Sequence, residues 1–384
     1  MRLILELSLV FALWMGLTDY YIYRQYVRYW KQRWAKYAYA IPGLLLLVSM
    51  IVIFGNFGPN SNAMHQFCMF LIVFLCIYVP KLLFTLLSLL FKPICRWTHE
   101  TWIAGSISLM SMAYLIFGAT VGIEHFQVKE EVICSSDIPE AFDGYRIIHL
   151  SDMHVGSWNK DTDAMKKAVS LINTQKADLI LFTGDLVNNI AEELNEFIPV
   201  LSQLESKDGV YSVLGNHDYA MYIPWESEEA KSANLVSLKE KQAQMGWILL
   251  VNQHVKLHQG NDSIALIGVE NSGRPPFPDY AKLSEAMAGT EGMFKILLSH
   301  DPTHWKREVL PDTDIHLTLS GHTHAMQTKI FGFTPAAFIF DEHSGLYQEG
   351  DQYLYVNIGL GHLMFPMRLG AWPEITLLTL RRAK

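Results

Sequence analysis

Apolar and polar positions follow two different rhythms along this 384-residue chain. From Tyr37 to Pro80 there is no Asp, Glu, Lys or Arg. That run breaks at Gly55-Asn56-Phe57-Gly58-Pro59-Asn60, a turn signal, and so predicts two spans at about 39–56 and 64–80. Each approaches the ~20 residues that a helix needs to cross a bilayer. Residues 81–91 extend the second of these along the interface, with Pro80 as a kink point. Residues 101–121 form a further span, rich in the Gly, Ala and Ser that let helices approach closely. Residues 3–23 are also apolar but are interrupted by Glu6 and Asp19. They lack a small-x-small cleavage site and more apolar segments follow, so they read as a first span rather than a signal peptide. The expectation is a module of about four helices over residues 1–124, followed by a second domain over 125–384.

Beyond residue 125 the apolar runs shorten and alternate with polar, periodic stretches. Strands are expected near 126–134, 145–150, 177–182 and 210–214, then at 248–251, 254–258, 263–269 and 294–299, and finally at 315–319, 353–358 and 374–380. Helices are expected at 161–174, 190–204, 228–244 and 279–288. Strand–loop–helix alternation implies an α/β domain whose helices cover its sheets.

Charge divides the chain at the same place. Residues 1–124 hold nine of the 30 Lys/Arg and four of the 38 Asp/Glu, leaving 21 and 34 for an acidic body. An acidic body argues against nucleic acid as a partner, since backbone binding needs clustered Lys/Arg. Among the loops, Arg24, Arg28, Lys31, Arg33 and Lys36 lie between the first and second spans, and Lys92 and Arg96 between the third and fourth. The positive-inside rule makes both loops cytoplasmic and places the body outside the cytoplasm. The expected location is a bacterial cytoplasmic (inner) membrane, with a multi-pass anchor and an extracytoplasmic body. Cys68, Cys76 and Cys95 lie in or beside apolar segments, so Cys134 alone is left for the body. Neither a disulfide framework nor a Cys-based zinc site follows from that.

The chemistry gathers in five short clusters, most of them behind an apolar run. They are Asp152-Met153-His154, Gly184-Asp185, Gly215-Asn216-His217-Asp218, Ser299-His300-Asp301 and Gly321-His322-Thr323-His324. Taken singly, each has a plain structural explanation as a turn, a helix cap or a loop histidine. Taken together, Asp152, His154, Asp185, Asn216, His300, His322 and His324 form a set of oxygen and nitrogen donors suited to manganese, iron, zinc or cobalt. Seven donors suffice for two ions if one carboxylate bridges them. Two ions about 3.5–4 Å apart clamp the attacking and leaving oxygens of a displacement at phosphorus and acidify a bound water.

The order of these clusters resembles the calcineurin-like metallophosphoesterase superfamily over about 145–380. The resemblance implies a four-layer α/β/β/α sandwich with the metals at strand ends. It implies one divalent ion (Mn, Fe or Zn) on Asp152, His154, Asp185 and His324. A second would lie on Asp185, Asn216, His300 and His322, with Asp185 as the bridge. His217 would be the outer acid that protonates the leaving oxygen, oriented by Asp218. The apolar front end and the closing Gly359-Leu360-Gly361…Pro366-Met367-Arg368 resemble the membrane-associated bacterial branch that includes YkuE- and YaeI-like proteins and some UDP-diacylglucosamine pyrophosphatases.

Three stretches hint at the substrate: Tyr219–Trp225, residues 330–340 and His362–Met367 are rich in aromatic and apolar residues. An exposed apolar rim would favour membrane lipids as partners and a lipid-linked phosphorylated substrate. The alternatives are that these loops pack on each other as a lid, or that 335–340 is a buried strand. Arg274 and Arg368 are candidate phosphate clamps. The expected activity is hydrolysis of a phosphate ester or pyrophosphate by metal-activated hydroxide. The alternatives are a UDP-diacylglucosamine pyrophosphatase-like enzyme, a phosphodiesterase or phosphatase for small soluble substrates, and a metal-binding membrane scaffold or sensor without catalysis. A reporter active only outside the cytoplasm, fused after Lys384, should be active; a silent fusion would reject the expected orientation.

Overall fold

The computed structural model describes residues 2–55, 61–92, 97–275 and 277–383. The turn expected at 56–60 and the cytoplasmic charge expected at Arg96 lie outside the described residues. The chain separates into two compact units, Met1–Val121 with Met364–Met367, and Gly122–Leu363 with Arg368–Lys384.

Among its described residues the first unit contains four long helices: α1 (Arg2–Gln25), α2 (Arg33–Gly55), α3 (Ser61–Phe91) and α4 (Trp97–Thr120). Among the described residues, three helical stretches are long and apolar enough to cross a membrane: Arg33–Phe54, Gln66–Phe91 and His99–Thr120. The first apolar stretch is helical but is not one of them. Helix α3 runs without a break through Pro80. The Lys81 ammonium is 2.6 Å from the Asp19 carboxylate of α1, which also accepts hydroxyls from Tyr39 (2.8 Å) and Tyr78 (2.7 Å). The acid that interrupts the first apolar stretch is thereby matched by a cation from the third helix. Glu100, fully buried on α4, accepts from Tyr26 (2.8 Å) and from Ser88.

The second unit is built from two six-stranded sheets. Its strands are β1 (Gln127–Ser135), β2 (Arg146–Leu150), β3 (Leu179–Phe182), β4 (Val210–Ser212), β5 (Ile248–Leu249) and β6 (Gln253–Gln259). They continue with β7 (Asp262–Gly268), β8 (Lys295–Leu298), β9 (Leu317–Ser320), β10 (Gly345–Glu349), β11 (Gln352–Val356) and β12 (Glu374–Arg382). One sheet has the order β1-β12-β2-β3-β4-β5 and the other β10-β11-β9-β8-β7-β6. The central strands β2, β3 and β4 run parallel, as do β11, β9, β8 and β7.

Alternation along these strands feeds three stacked cores. Ile147, Leu179, Leu181 and Val213 of the first sheet meet Leu266, Ile296, Leu298 and Leu319 of the second in the layer between the sheets. The opposite side chains of the first sheet, Ile148, Leu150, Ile180 and Phe182, pack on Met165, Val169 and Ile172 of α5 (Asp163–Thr174). On the outer face of the second sheet, Ile267, Leu297 and Val356 pack on Leu283, Trp305 and Val309. This is a four-layer α/β/β/α sandwich, and strands apolar on both faces are what such layering requires.

Three elements differ from the sequence pattern, one of them the helix expected at 279–288, which is confined to Leu283–Met287. The helix expected at 190–204 is broken into a 3₁₀ turn, Ala191–Leu194, and a single turn, Ile198–Leu201. Pro199 in that second turn and the loop-binding role of Glu193 described below work against a continuous helix. Strand β10 was not expected; its Gly and Glu residues give it little strand character, and pairing with β11 supplies it.

Candidate metal centre

Every cluster singled out by sequence falls just beyond the C-terminal end of a central strand. Asp152 and His154 follow β2, Asp185 follows β3, Asn216 to Asp218 follow β4, His300 follows β8, and His322 with His324 follow β9. In sheets of this kind the loops at those ends form the ligand crevice. Backbone hydrogen bonds stitch the loops together: Asp152 N–H donates to Gly184 O (2.9 Å), His154 N–H to Asp185 O (3.1 Å), and Gly321 N–H to His300 O (2.9 Å). At Gly215 a Cβ would lie 2.6 Å from Asp185 N, so the β3 and β4 loops approach as backbones and need glycine there.

Two donor groups result. Asp152, His154 and His324 form one; Asp185, His300 and His322 form the other, and within each the ligand atoms lie within 4.8 Å of one another. In the first, His324 Nε2 is 3.2 Å from Asp152 Oδ1 and 3.1 Å from His154 Nε2. In the second, His300 Nε2 is 3.2 Å from Asp185 Oδ2, and the Asn216 Oδ1 atom is 3.1 Å from His300 Nε2 and 2.8 Å from His322 Nδ1. Asp185 also faces the first group, with His154 Nε2 3.6 Å from its Oδ2. His322 and His324 do not lie on one face of an extended loop. Both have left-handed backbone (φ 73° and 49°), and they turn to different groups.

Left-handed backbone extends to Asp152, His154 and Asp185, at φ 51°, 42° and 59°. Non-glycine residues in this region cost of order 1–3 kcal/mol each and persist only where the surroundings enforce them. Here the surroundings are named groups. The Asp218 carboxylate, fully buried, accepts four backbone N–H groups: Asp185 and Gly215 at 2.9 Å on Oδ2, Leu186 at 2.9 Å and Val187 at 3.2 Å on Oδ1. It therefore fixes the Asp185 loop. The expected pairing of Asp218 with the His217 side chain does not occur. His217 Nδ1–H donates instead to Asn188 O at 2.8 Å, which leaves Nε2 without a proton of its own in the neutral ring. Asn188 is in turn held by Glu193, which accepts Asn188 N–H (2.6 Å) and Ile190 N–H (3.3 Å).

Arg368 is not a phosphate clamp. It is fully buried and donates to the carbonyls of Ile358, Gly359, Gly361 and Ala371 at 2.6–3.1 Å. Its Nε and both terminal nitrogens are thereby engaged in folding the loop behind Asp152 and His324. Burial lowers its pKa to about 10, and Asp152 and Glu374 counter that. Arg274 is exposed, on the loop whose Phe277 ring meets His322 edge-on at 4.9 Å.

Two contributing residues had roles that the sequence did not assign: Tyr222 was read only as part of an aromatic substrate stretch, and Thr183 was not singled out. Tyr222 lies on His217, with ring centroids 4.4 Å apart, and its hydroxyl accepts the Asn216 amide at 2.7 Å. Thr183 O accepts His300 Nδ1–H at 2.8 Å, which fixes that ring's tautomer and turns its Nε2 lone pair inward. Both contacts are made by ordinary loop or strand-end positions that become meaningful only once their neighbours are known.

The electrostatics favour bound positive charge. Burial opposes ionisation of Asp152, yet the neighbouring His324 outweighs it and holds the carboxyl below the usual carboxylate range. For Asp185 burial is likewise outweighed, chiefly by His300, and its pKa falls well below normal. Burial also opposes a proton on His300, but Asp185 raises its pKa to about 10. Buried carboxylates this close to one another mark a position where positive charge is stabilised. Convergent imidazoles and carboxylates with no thiolate suit a borderline divalent ion.

Comparison with known proteins agrees with this geometry. Residues 145–326 match the calcineurin-like phosphoesterase family, and residues 1–123 match a domain described as probable calcineurin-like phosphoesterase, transmembrane domain. An uncharacterized metallophosphoesterase of Bacillus subtilis is 29% identical over 301 residues, covering 74% of this chain and 98% of the relative. One from Campylobacter jejuni is 27% identical over 391 residues, covering 98% of both chains. A Bos taurus transmembrane protein with metallophosphoesterase domain is 33% identical over 259 residues, covering 64% of this chain and 55% of that protein.

Because Asp218 serves the backbone, Asp218→Asn should lower stability by about 1–3 kcal/mol in thermal unfolding and reduce divalent metal content in elemental analysis. A loss of turnover with unchanged stability and metal content would instead restore the expected partnership with the His217 ring.

Proposed function

From a chain that carries a calcineurin-like phosphoesterase domain behind a transmembrane domain, and is on that ground a metal-dependent phosphoesterase, we propose a two-metal hydrolase of a phosphate ester or pyrophosphate on a lipid-linked substrate. The observation that carries this reading is the pair of adjacent donor groups joined at Asp185. Asp152, His154, Asp185 and His324 would hold one divalent ion, and Asp185, Asn216, His300 and His322 the other. When bound, such ions supply Lewis-acid polarisation of phosphoryl oxygens and acidify water.

The chain's own residues do the rest. Asp185 and Asp152 hold fixed negative charge in a buried cup. Asn216, anchored by Tyr222, presents its carbonyl oxygen beside His300 and His322. His217 receives a proton on Nε2 from solution and gives it to the departing oxygen, while Asn188 O keeps Nδ1–H in place. Its ring lies 4.9 Å from that of His154, so its reach is to the same cup. Arg274, exposed on the loop that touches His322, is a candidate for the substrate's remaining phosphate charge.

The membrane module supports a substrate presented at a bilayer surface. The cluster Arg24, Arg28, Lys31, Arg33 and Lys36 supports an extracytoplasmic catalytic domain. Screening manganese-loaded protein against lipid phosphates, nucleotide-linked lipids and small phosphodiesters tests the substrate class. A rate that rises with the surface concentration of a lipid substrate is expected; turnover of soluble esters alone would reject lipid linkage. His217→Ala should keep its metal while turnover falls by roughly 10²–10⁴, and normal turnover would refute its acid role. Asp185→Ala should lose both ions by elemental analysis; a fully metallated, active variant would discredit the bridge.

A further inference from the structure

The stretch that follows His324 is neither a buried strand nor a lid closed over the site. Pro335–Phe338 is a 3₁₀ turn, Phe331 is fully exposed and Phe338 is 82% exposed. Ile330, Phe333 and Ile339 are exposed beside them. From Met326 to Phe340 the only charged residue is Lys329.

This apolar tip is held in shape by the fold. Ile330 and Phe333 exchange backbone hydrogen bonds at 2.9 and 3.0 Å. Lys329 N–H donates to Leu369 O at 2.7 Å. The Thr334 hydroxyl donates to Ala325 O at 2.6 Å and accepts Ala336 N–H at 3.2 Å, capping the turn. The rings of Phe333 and Phe338 meet edge-on at 5.6 Å. An ordered loop that keeps five large apolar side chains in water incurs a hydration cost that burial elsewhere would remove. The base of the loop is at the metal centre. It leaves from His324, and Phe340 returns to meet His322 edge-on at 5.6 Å.

The geometry points to this loop as a membrane-docking wedge, whose occupant is the interfacial layer of the bilayer that the chain's own helices span. That bilayer is the apolar phase the chain always has at hand. Only six residues separate Thr120 at the end of α4 from Gln127 at the start of β1. Fully extended they reach about 20 Å. Aromatic rings with a flanking lysine suit the headgroup layer. The docked loop would place the crevice at headgroup depth, so that a phosphoester on a lipid reaches it without leaving the membrane. This rests on the lipid-linked reading above and extends it to the surface that captures the lipid.

The full chain in nanodiscs of phosphatidylethanolamine and phosphatidylglycerol tests it. Phe331→Cys and Phe338→Cys, each in a Cys134→Ser background, carry an environment-sensitive fluorophore, with the Cys134→Ser parent as blank. Doxyl-labelled lipids should quench both labels at least twofold more than aqueous iodide does. Quenching by iodide and not by doxyl lipid would overturn the docking, as would a label reached by neither quencher whose signal depends on pairing between copies. Hydrolysis of bis(p-nitrophenyl) phosphate at the parent rate shows that each variant is folded. Docking in an enzyme that hydrolyses only soluble esters would support the wedge and reject the lipid-linked substrate, so the two readings fail separately.

Discussion

Two buried carboxylates, Asp152 and Asp185, set the terms for the catalytic domain. Each would be costly in an apolar interior without compensation. The fold compensates them with imidazoles at about 3–4 Å from three separate strand ends, and with N–H groups such as those of His322 and His217. To bring these groups in, the chain accepts left-handed backbone at five of the seven donor positions. Strain of that kind persists only where packing leaves no alternative. Asp218 under the Asp185 loop and Arg368 behind Asp152 and His324 provide that packing. Both are buried side chains that serve the backbone.

The same constraint gives His217 its position. Its backbone N–H donates to Asp185 Oδ1 at 2.8 Å, and its ring is fixed by Asn188 O and covered by Tyr222. Glu193 holds the loop that presents Asn188. The proposed proton donor is therefore tied by its backbone to Asp185, the carboxylate proposed to join the two donor groups. Loss of Asp185 would disturb both metal binding and acid placement, whereas loss of the His217 side chain leaves the cup whole.

A second, separate balance of charge is found in the helical unit. Asp19 is matched by Lys81 and two tyrosine hydroxyls, and Glu100 by Tyr26 and Ser88. These pairings let acidic residues sit within apolar helices, and they specify which helices adjoin. The module is thus a defined helical assembly as well as an anchor.

The sequence by itself determined the helix-rich, charge-poor front end, the alternating strands of the body and the five polar clusters at strand ends. It could do so because periodicity and local composition report burial directly. The strand pattern was legible for the same reason, and with it the level at which the loops emerge. Tertiary structure decided what local pattern does not encode. Whether residues 190–204 could remain one helix depended on Glu193 being drawn to Asn188. Whether Arg368 met phosphate or carbonyls depended on a loop that closes around it. Whether Asp218 faced His217 or the backbone depended on where the β3 loop crosses the β4 loop. In each case a long-range contact fixed the partner of a polar side chain, and polar side chains take their roles from their partners.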